Sequence, residues 1–208
     1  MRIAIIGTGS VGQTLGAAFR RLGHDVVTGT RDPEQTRTRP EWVDGGPLAS
    51  YAEAAQGADL VVNATSGLVS LEALADVDLD GKVLLDVANP LDFSAGFPPT
   101  LSVKDTDSLA EQIQRAHPTA RVVKSLNTVN AAVMVDPGRL AEPTSIFVAG
   151  DDAEARALVA GLLAELGWSD IVEFTSLDAA RGLEMWLPLW VRLMGTLGTA
   201  DFNLKLVR

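Results

Sequence analysis

Three glycines at fixed spacing are the first residues in this chain that imply chemistry. Gly7, Gly9 and Gly12 follow the apolar run Ile3-Ala4-Ile5-Ile6 and precede a helical stretch, Gln13 to Leu22. The order strand, glycine turn, helix builds a seat for a pyrophosphate. Gly7 allows the tight turn, Gly9 lets the backbone approach the phosphates, and Gly12 lets the helix pack close to the strand. The free N–H groups and positive dipole end of the helix face the negative charge. The run Gly7, Thr8, Gly9, Ser10, Val11, Gly12 is therefore expected to bind a dinucleotide.

The second strand, Asp25 to Gly29, ends in the residues that choose the nucleotide. An NAD-selective site usually places an acid there for the ribose hydroxyls. This chain has Thr30-Arg31 instead. A hydroxyl and a guanidinium suit a 2′-phosphate, because arginine pairs with phosphate oxygens bidentately, so NADP is expected over NAD. Asp32 is followed by Pro33 and is expected to cap a helix or face solvent. Arg37 and Arg39 lie in a polar loop, either adding to the phosphate pocket or simply solvated.

Further candidates sit at the carboxyl ends of later strands, where open parallel sheets bind ligands. The run Asp59 to Ala64 ends in Thr65 and Ser66, which are expected to touch the pyrophosphate or the nicotinamide ribose, or to cap a helix. Lys82 to Val87 ends in Ala88 and Asn89, the latter an amide for the nicotinamide. Arg121 to Leu126 ends in Asn127, Thr128 and Asn130. Asn127 is the best positioning residue, its amide donating to an acceptor ring or orienting the carboxamide; the competing reading is that it satisfies loop backbone. Lys124 is expected to snorkel to the surface. Trp186, Trp190 and Met194 form an i, i+4, i+8 stripe, read as core or a dimer face, or else as a wall for an aromatic acceptor.

The elements between these points alternate strand and helix, which gives an α/β fold: a Rossmann-type, doubly wound, mostly parallel sheet with a small helical C-terminal part. Short helices are expected at Tyr51–Gln56, Leu68–Leu74 and Ser108–Ala116, and a long one at Ala153–Leu166. Strands are expected at Thr144–Ala149 and Ile171–Phe174. The segment 36–47 reads as a surface loop with Trp42 tucked down, and 91–106 as a long irregular connection. Asp178 to Leu204 is mostly helical, with Pro188 kinking or restarting the helix. The division expected is an NADP-binding domain over 1–150 and a C-terminal part over 151–208 that completes the acceptor cleft and supplies a homodimer face.

Composition narrows the partners. The 208 residues carry a net charge of −10, which argues against nucleic acid and anionic membrane. With no cysteine, thiolate metal sites and cysteine nucleophiles are excluded. The two histidines, His24 and His117, are far apart in sequence and are expected to be solvent-exposed turn residues rather than metal ligands. The stretch 183–200 carries Glu184, Pro188 and Arg192 and fails as a membrane span. No leader precedes the first strand, so a cytoplasmic location is expected.

Several of these segments together resemble the NADP-dependent reductases of the deazaflavin coenzyme F-420. They are Gly7 to Gly12, Leu22-Gly23-His24-Asp25-Val26, Gly29-Thr30-Arg31, Ala58 to Val62, Val148 to Asp152, Arg181 to Glu184 and Leu187-Pro188-Leu189. The resemblance spans nearly the whole chain and implies NADP as cofactor, with Thr8, Thr30 and Arg31 holding the 2′-phosphate. It departs at 127–130, where the family has a histidine and a proline and this chain has Asn127 and Asn130. There it is closer to a broader group of dinucleotide-binding reductases and to the reductase domain of membrane metalloreductases. The expected function is hydride transfer between NADP(H) and a small-molecule acceptor, F-420 or a flavin. The alternatives are a non-enzymatic NADP(H) redox sensor and an imine or carbonyl reductase.

Overall fold

The computed structural model describes residues 1–43 and 45–208; position 44, inside the expected loop 36–47, lies outside the described residues. The chain builds β1 (Arg2–Ile6), α1 (Ser10–Arg21), β2 (Asp25–Thr30), α2 (Pro33–Arg37), β3 (Leu48–Ser50), α3 (Tyr51–Ala55), β4 (Leu60–Asn63), α4 (Ser70–Leu74) and β5 (Val83–Asp86). It continues with β6 (Leu91–Asp92), β7 (Thr100–Leu101), α5 (Leu109–Ala116), β8 (Arg121–Ser125), α6 (Ala131–Val135), β9 (Ser145–Ala149), α7 (Ala153–Glu165), β10 (Asp170–Phe174), α8 (Ala180–Met185) and α9 (Leu187–Leu197).

Eight strands form one sheet in the order β10-β9-β8-β5-β4-β1-β2-β3. All neighbours pair in parallel except β8 and β9. The central strands are apolar through their middles, with polar residues only toward their ends, because both sheet faces are covered, and alternate residues feed opposite cores. Ile3, Ile5, Leu60, Val62 and Leu85 face α1 and α7, packing with Leu15, Phe19 and Val159. Ala4, Ile6, Val61 and Leu84 face α3, α4 and α5, packing with Ala54, Leu74 and Ile113. The sheet runs on past position 150: β10 pairs along β9, and α7 packs into the first core.

The sheet order reverses at β1, whose neighbours β2 and β4 lead outward in opposite directions. That opens a crevice at the carboxyl ends of β1 and β4, where an open α/β sheet takes its ligands.

Four details differ from the sequence reading. α1 starts at Ser10, inside the glycine motif, because Gly9 in extended conformation is already its N-cap. The three-residue β3, too short for a periodic signal, adds an edge strand beside β2. The stretch 91–106 contains the antiparallel pair β6–β7, and Leu91 and Phe93 lie over a cleft. His24 is not a solvent-exposed turn residue: its side chain is 9% exposed, edge-on to Phe19, with Nε2 3.0 Å from Glu165 on α7. His117 ends α5 half-buried, and that burial lowers its pKa. Asp32 N-caps α2, accepting from the Gln35 N–H, and Pro188 stands in the first turn of α9 and restarts the helix.

Candidate dinucleotide and acceptor clefts

Two adjoining clefts open along the carboxyl edge of the sheet. The first, about 570 Å³, is lined by Gly7, Thr8, Gly9, Thr30 and Arg31, and on its other walls by Tyr51, Glu72 and Asp76. The second, about 290 Å³, is lined by Val11, Ala88, Asn89 and Asn127 and closed by Leu187 and Trp190 from α9. Ala64, Thr65 and Ser66 border both, so the clefts meet at the end of β4. Ser10 and Gly12 line neither: Ser10 opens α1 at the surface and Gly12 is buried.

The geometry of the glycines explains the junction. Gly7 has φ +122°, and a Cβ there would lie 2.5 Å from the Ala64 carbonyl oxygen. A Cβ on Gly12 would lie 2.2 Å from the Gly7 carbonyl oxygen. These two glycines serve backbone packing. Gly9 is different: a Cβ there meets no protein atom within 4 Å and would project into space along the first cleft. The α1 N-terminus has no side-chain cap and no acid in its first turn, so its N–H groups are left for an anion. The Gln13 amide donates to the Thr8 carbonyl and holds the turn in place. These residues fit the pyrophosphate of a nicotinamide dinucleotide.

At the far end of the first cleft, the Thr30 hydroxyl is buried and shared with Thr36 Oγ1 at 2.8 Å. Arg31 is exposed and makes no hydrogen bond or ion pair among the described residues. It is the cation the cleft offers to a phosphate. Arg39 donates to Gln35, and its charge also acts on Tyr51. Ser50, Tyr51, Glu72 and Asp76 carried no motif; they join the cleft because β3 pairs with β2 and α4 packs opposite.

Beneath the clefts runs a buried polar chain. Lys124, expected at the surface, is fully buried, because β8 lies in the middle of the sheet and its end is roofed by α8. Its Nζ donates to Asp86 Oδ2 at 2.7 Å, to the Ala88 carbonyl at 2.5 Å and to Glu184 Oε1 at 2.8 Å. Burial works against the ammonium, but the two carboxylates outweigh it and hold its pKa above the usual lysine range. Burial pushes Glu184 upward, with Lys124 pulling the other way. Glu184 also accepts from the N–H groups of Leu109 and Ala110, which anchors α8 to the start of α5.

Asp86 passes this order to the crevice. An ionised carboxylate only accepts, so the Asn63 amide turns its NH₂ toward Asp86 Oδ1, at 2.8 Å. Asn63 Oδ1 then faces Thr65 and accepts from its hydroxyl at 2.7 Å. The Thr65 proton is thereby committed inward, and the oxygen's remaining capacity toward the clefts is as an acceptor. That suits a ribose hydroxyl and not a phosphate oxygen.

Asn127 and Asn89 bring the second cleft together. Asn127 Nδ2 donates to Asn89 Oδ1 at 2.9 Å and to the Leu183 carbonyl at 3.0 Å; Asn89 Nδ2 donates to the Asn127 carbonyl at 2.9 Å. Both N–H groups of Asn127 are thus engaged within the protein, and only Oδ1 is left, buried and unpartnered. The donating role expected of this amide is occupied; the role open to it is that of acceptor. Gly67 makes the arrangement possible, since a Cβ there would lie 2.2 Å from the Asn89 carbonyl oxygen. Asn130 is structural: it caps α6 and ties it to Ala200 and Asp201. Of the tryptophan stripe, Trp190 borders the second cleft and stacks on Phe202 at 5.3 Å, while Trp186 lines a separate apolar pocket.

A reversal-point crevice with a glycine-cradled helix, a free arginine and an adjoining second cleft defines a Rossmann-type dinucleotide-binding oxidoreductase. Residues 2–90 match the family described as NADP oxidoreductase, coenzyme F-420-dependent. A crystal structure from Arthrobacter sp. FB24, assigned as an F-420-dependent NADP reductase, superposes with a TM-score of 0.95 at 53% identity over 100% of both chains. The F-420-dependent NADP reductase of Methanothermobacter thermautotrophicus is 28% identical over 93% of this chain and 89% of its own length. This chain belongs to the family of F-420-dependent NADP oxidoreductases. A reductive aminase from Aspergillus terreus, 20% identical with a TM-score of 0.64 over 95% of this chain and 61% of its own, shares the fold alone. Among the described residues no helix is long and apolar enough to cross a membrane.

Proposed function

We propose that the protein passes hydride between NADP(H) and the deazaflavin coenzyme F-420. The observation that carries this reading is the continuous pair of clefts. One has a phosphate-binding end and a free arginine; the other is walled by Trp190 and roofed by α9. Bound NADPH supplies the hydride from C4 of its nicotinamide.

The chain's own residues bind and orient. Gly7, Thr8, Gly9, Ser10 and Val11 hold the pyrophosphate, with Gly12 keeping α1 against the strand. Thr30 and Arg31 hold the 2′-phosphate, and Thr65 and Ser66 the nicotinamide ribose. Ala88 and Asn89 flank the nicotinamide. Asn127 Oδ1 accepts from the carboxamide NH₂, fixing which ring face meets the acceptor. With reacting atoms about 3–3.5 Å apart, such positioning supplies most of the rate. The division at 150 is then one of ligand contact: residues 1–150 bind NADP, and the part from 151 on, through Leu187 and Trp190, completes the acceptor cleft. The exposed apolar residues Leu189 and Leu197 on α9 support a homodimer through this part, in the cytoplasm where the nicotinamide pool lies.

The test is NADPH oxidation in the presence of F-420, FMN, FAD, quinones and ferric chelates. Turnover with F-420 at the highest kcat/KM is expected. No turnover with F-420 while another acceptor is reduced would overturn the acceptor; none with any would overturn the enzyme reading.

A further inference from the structure

We propose that Tyr51, through its phenolic hydroxyl, is a specificity-determining residue that donates to the 2′-phosphate beside Arg31. The inference rests on the NADP reading above and adds a residue that no sequence motif marked.

The strand register sets the two side by side. β2 and β3 run parallel with Thr30 opposite Ser50, so Arg31 and Tyr51 are the next residues of two paired strands. Neighbouring strands lie about 4.8 Å apart, and both residues line the first cleft. The Tyr51 backbone is fixed by the capping box of Ser50 and Glu53 at the start of α3. Its ring is fixed by Gly29, where a Cβ would lie 3.2 Å from Tyr51 Cδ1.

The phenol has no hydrogen-bond partner among the described residues, and neither has Arg31. Two free donors therefore leave adjacent strand ends into one cleft. Burial raises the phenol's pKa and keeps it a donor, while the charges of Arg31, Glu72 and Arg39 also act on it. On the facing wall, Glu72 and Asp76 make the cleft bipolar, so an anion is held at the arginine and tyrosine end. A phosphate dianion, which accepts from several donors at once, uses both groups. The bare ribose hydroxyl of NADH offers one oxygen and no charge.

Tyr51 is the chain's single tyrosine, so protein labelled with ¹³C at tyrosine Cζ gives one resonance. The experiment compares 2′,5′-ADP with 5′-ADP on the full chain. The resonance is expected to move with 2′,5′-ADP and stay with 5′-ADP. Tyr51→Phe is expected to weaken 2′,5′-ADP by about tenfold or more, the scale of a hydrogen bond to a charged group, and to leave 5′-ADP unchanged. Equal losses for both nucleotides, or no loss for either, overturn the proposal and reduce Tyr51 to a packing residue. A wild-type chain that binds the two nucleotides equally overturns the NADP reading itself.

Discussion

Asn127 and Asn89 hold each other by two reciprocal hydrogen bonds, each amide donating at 2.9 Å into the other residue. The pairing leaves Asn127 Oδ1 as the one unpartnered atom of that amide. Asn127→Ala removes the acceptor and the side-chain half of the clamp. Loss of its side-chain bonds to Asn89 Oδ1 and the Leu183 carbonyl, with the bond from Asn89 to the Asn127 backbone carbonyl retained, is expected to cost about 1–3 kcal/mol of stability, and kcat is expected to fall about a hundredfold, the scale of a misplaced reacting atom. Asn127→Asp keeps an acceptor oxygen but loses the donors to Asn89 and Leu183. Steady-state kinetics and melting curves on both variants check this, and unchanged kcat in Asn127→Ala would refute the positioning role.

Arg31→Asp replaces a free guanidinium with a like charge to the 2′-phosphate. NADPH affinity is expected to drop by about 2–4 kcal/mol, as for a lost charge pair, while NADH changes little. Calorimetric titration of the variant with both nucleotides reads this directly; an unaltered NADPH affinity removes the phosphate from that end of the cleft.

The glycines separate folding from binding. Gly9→Val adds bulk where the backbone is surrounded by open cleft, so the fold is expected to survive and NADPH binding to be lost. Gly12→Ala sets a Cβ 2.2 Å from the Gly7 carbonyl and is expected to lower stability as well. A Gly9→Val chain that binds NADPH normally places the pyrophosphate elsewhere.

Lys124→Met leaves Asp86 and Glu184 buried without their cation. Breaking such a pair costs about 3–5 kcal/mol. The cost is expected to shrink as pH falls, because burial raises the Glu184 pKa and protonating it removes the uncompensated charge, and Glu184→Gln in the same chain is expected to recover part of it. In the wild type, Lys124 has its pKa raised, so its contribution is complete below the ordinary lysine value and is lost as pH rises through the raised one. Denaturant melts of wild type and variants from pH 5 to above the ordinary lysine value of about 10.5 test the sign.

Acid sensitivity is expected in two stages. Burial lowers the His117 pKa, so its neutral form stabilises the fold above about pH 6.5, and this is lost as pH falls below that value. Arg115 holds Asp107 low, and Arg181 holds Glu111 low across α5 and α8. Those contributions are complete above about pH 4.5 and are lost as the carboxylates protonate below it. His117→Gln is expected to abolish the first stage only; melts of that variant at pH 7.5, 5.5 and 3.5 check both stages.

The sequence by itself determined the longer strands of the sheet and the glycine turn that opens α1, because each rests on contacts between near neighbours. Period and run length identify a buried parallel strand, and Gly7, Gly9 and Gly12 act within one turn of chain. Arg31 follows its own strand by a single residue. Asp32 as a helix cap and Pro188 as a helix start are equally local. What tertiary structure alone decided are facts about partners far apart in the chain. Lys124 reads as a surface residue until Asp86 and Glu184, 38 and 60 positions away, close around it. Asn127 reads as a donor until Asn89 and Leu183 take its protons. Tyr51 carries no signal until a three-residue edge strand sets it beside Arg31. A hydrogen bond or ion pair across the sheet depends on which strand ends meet, and no local pattern of residues encodes that meeting.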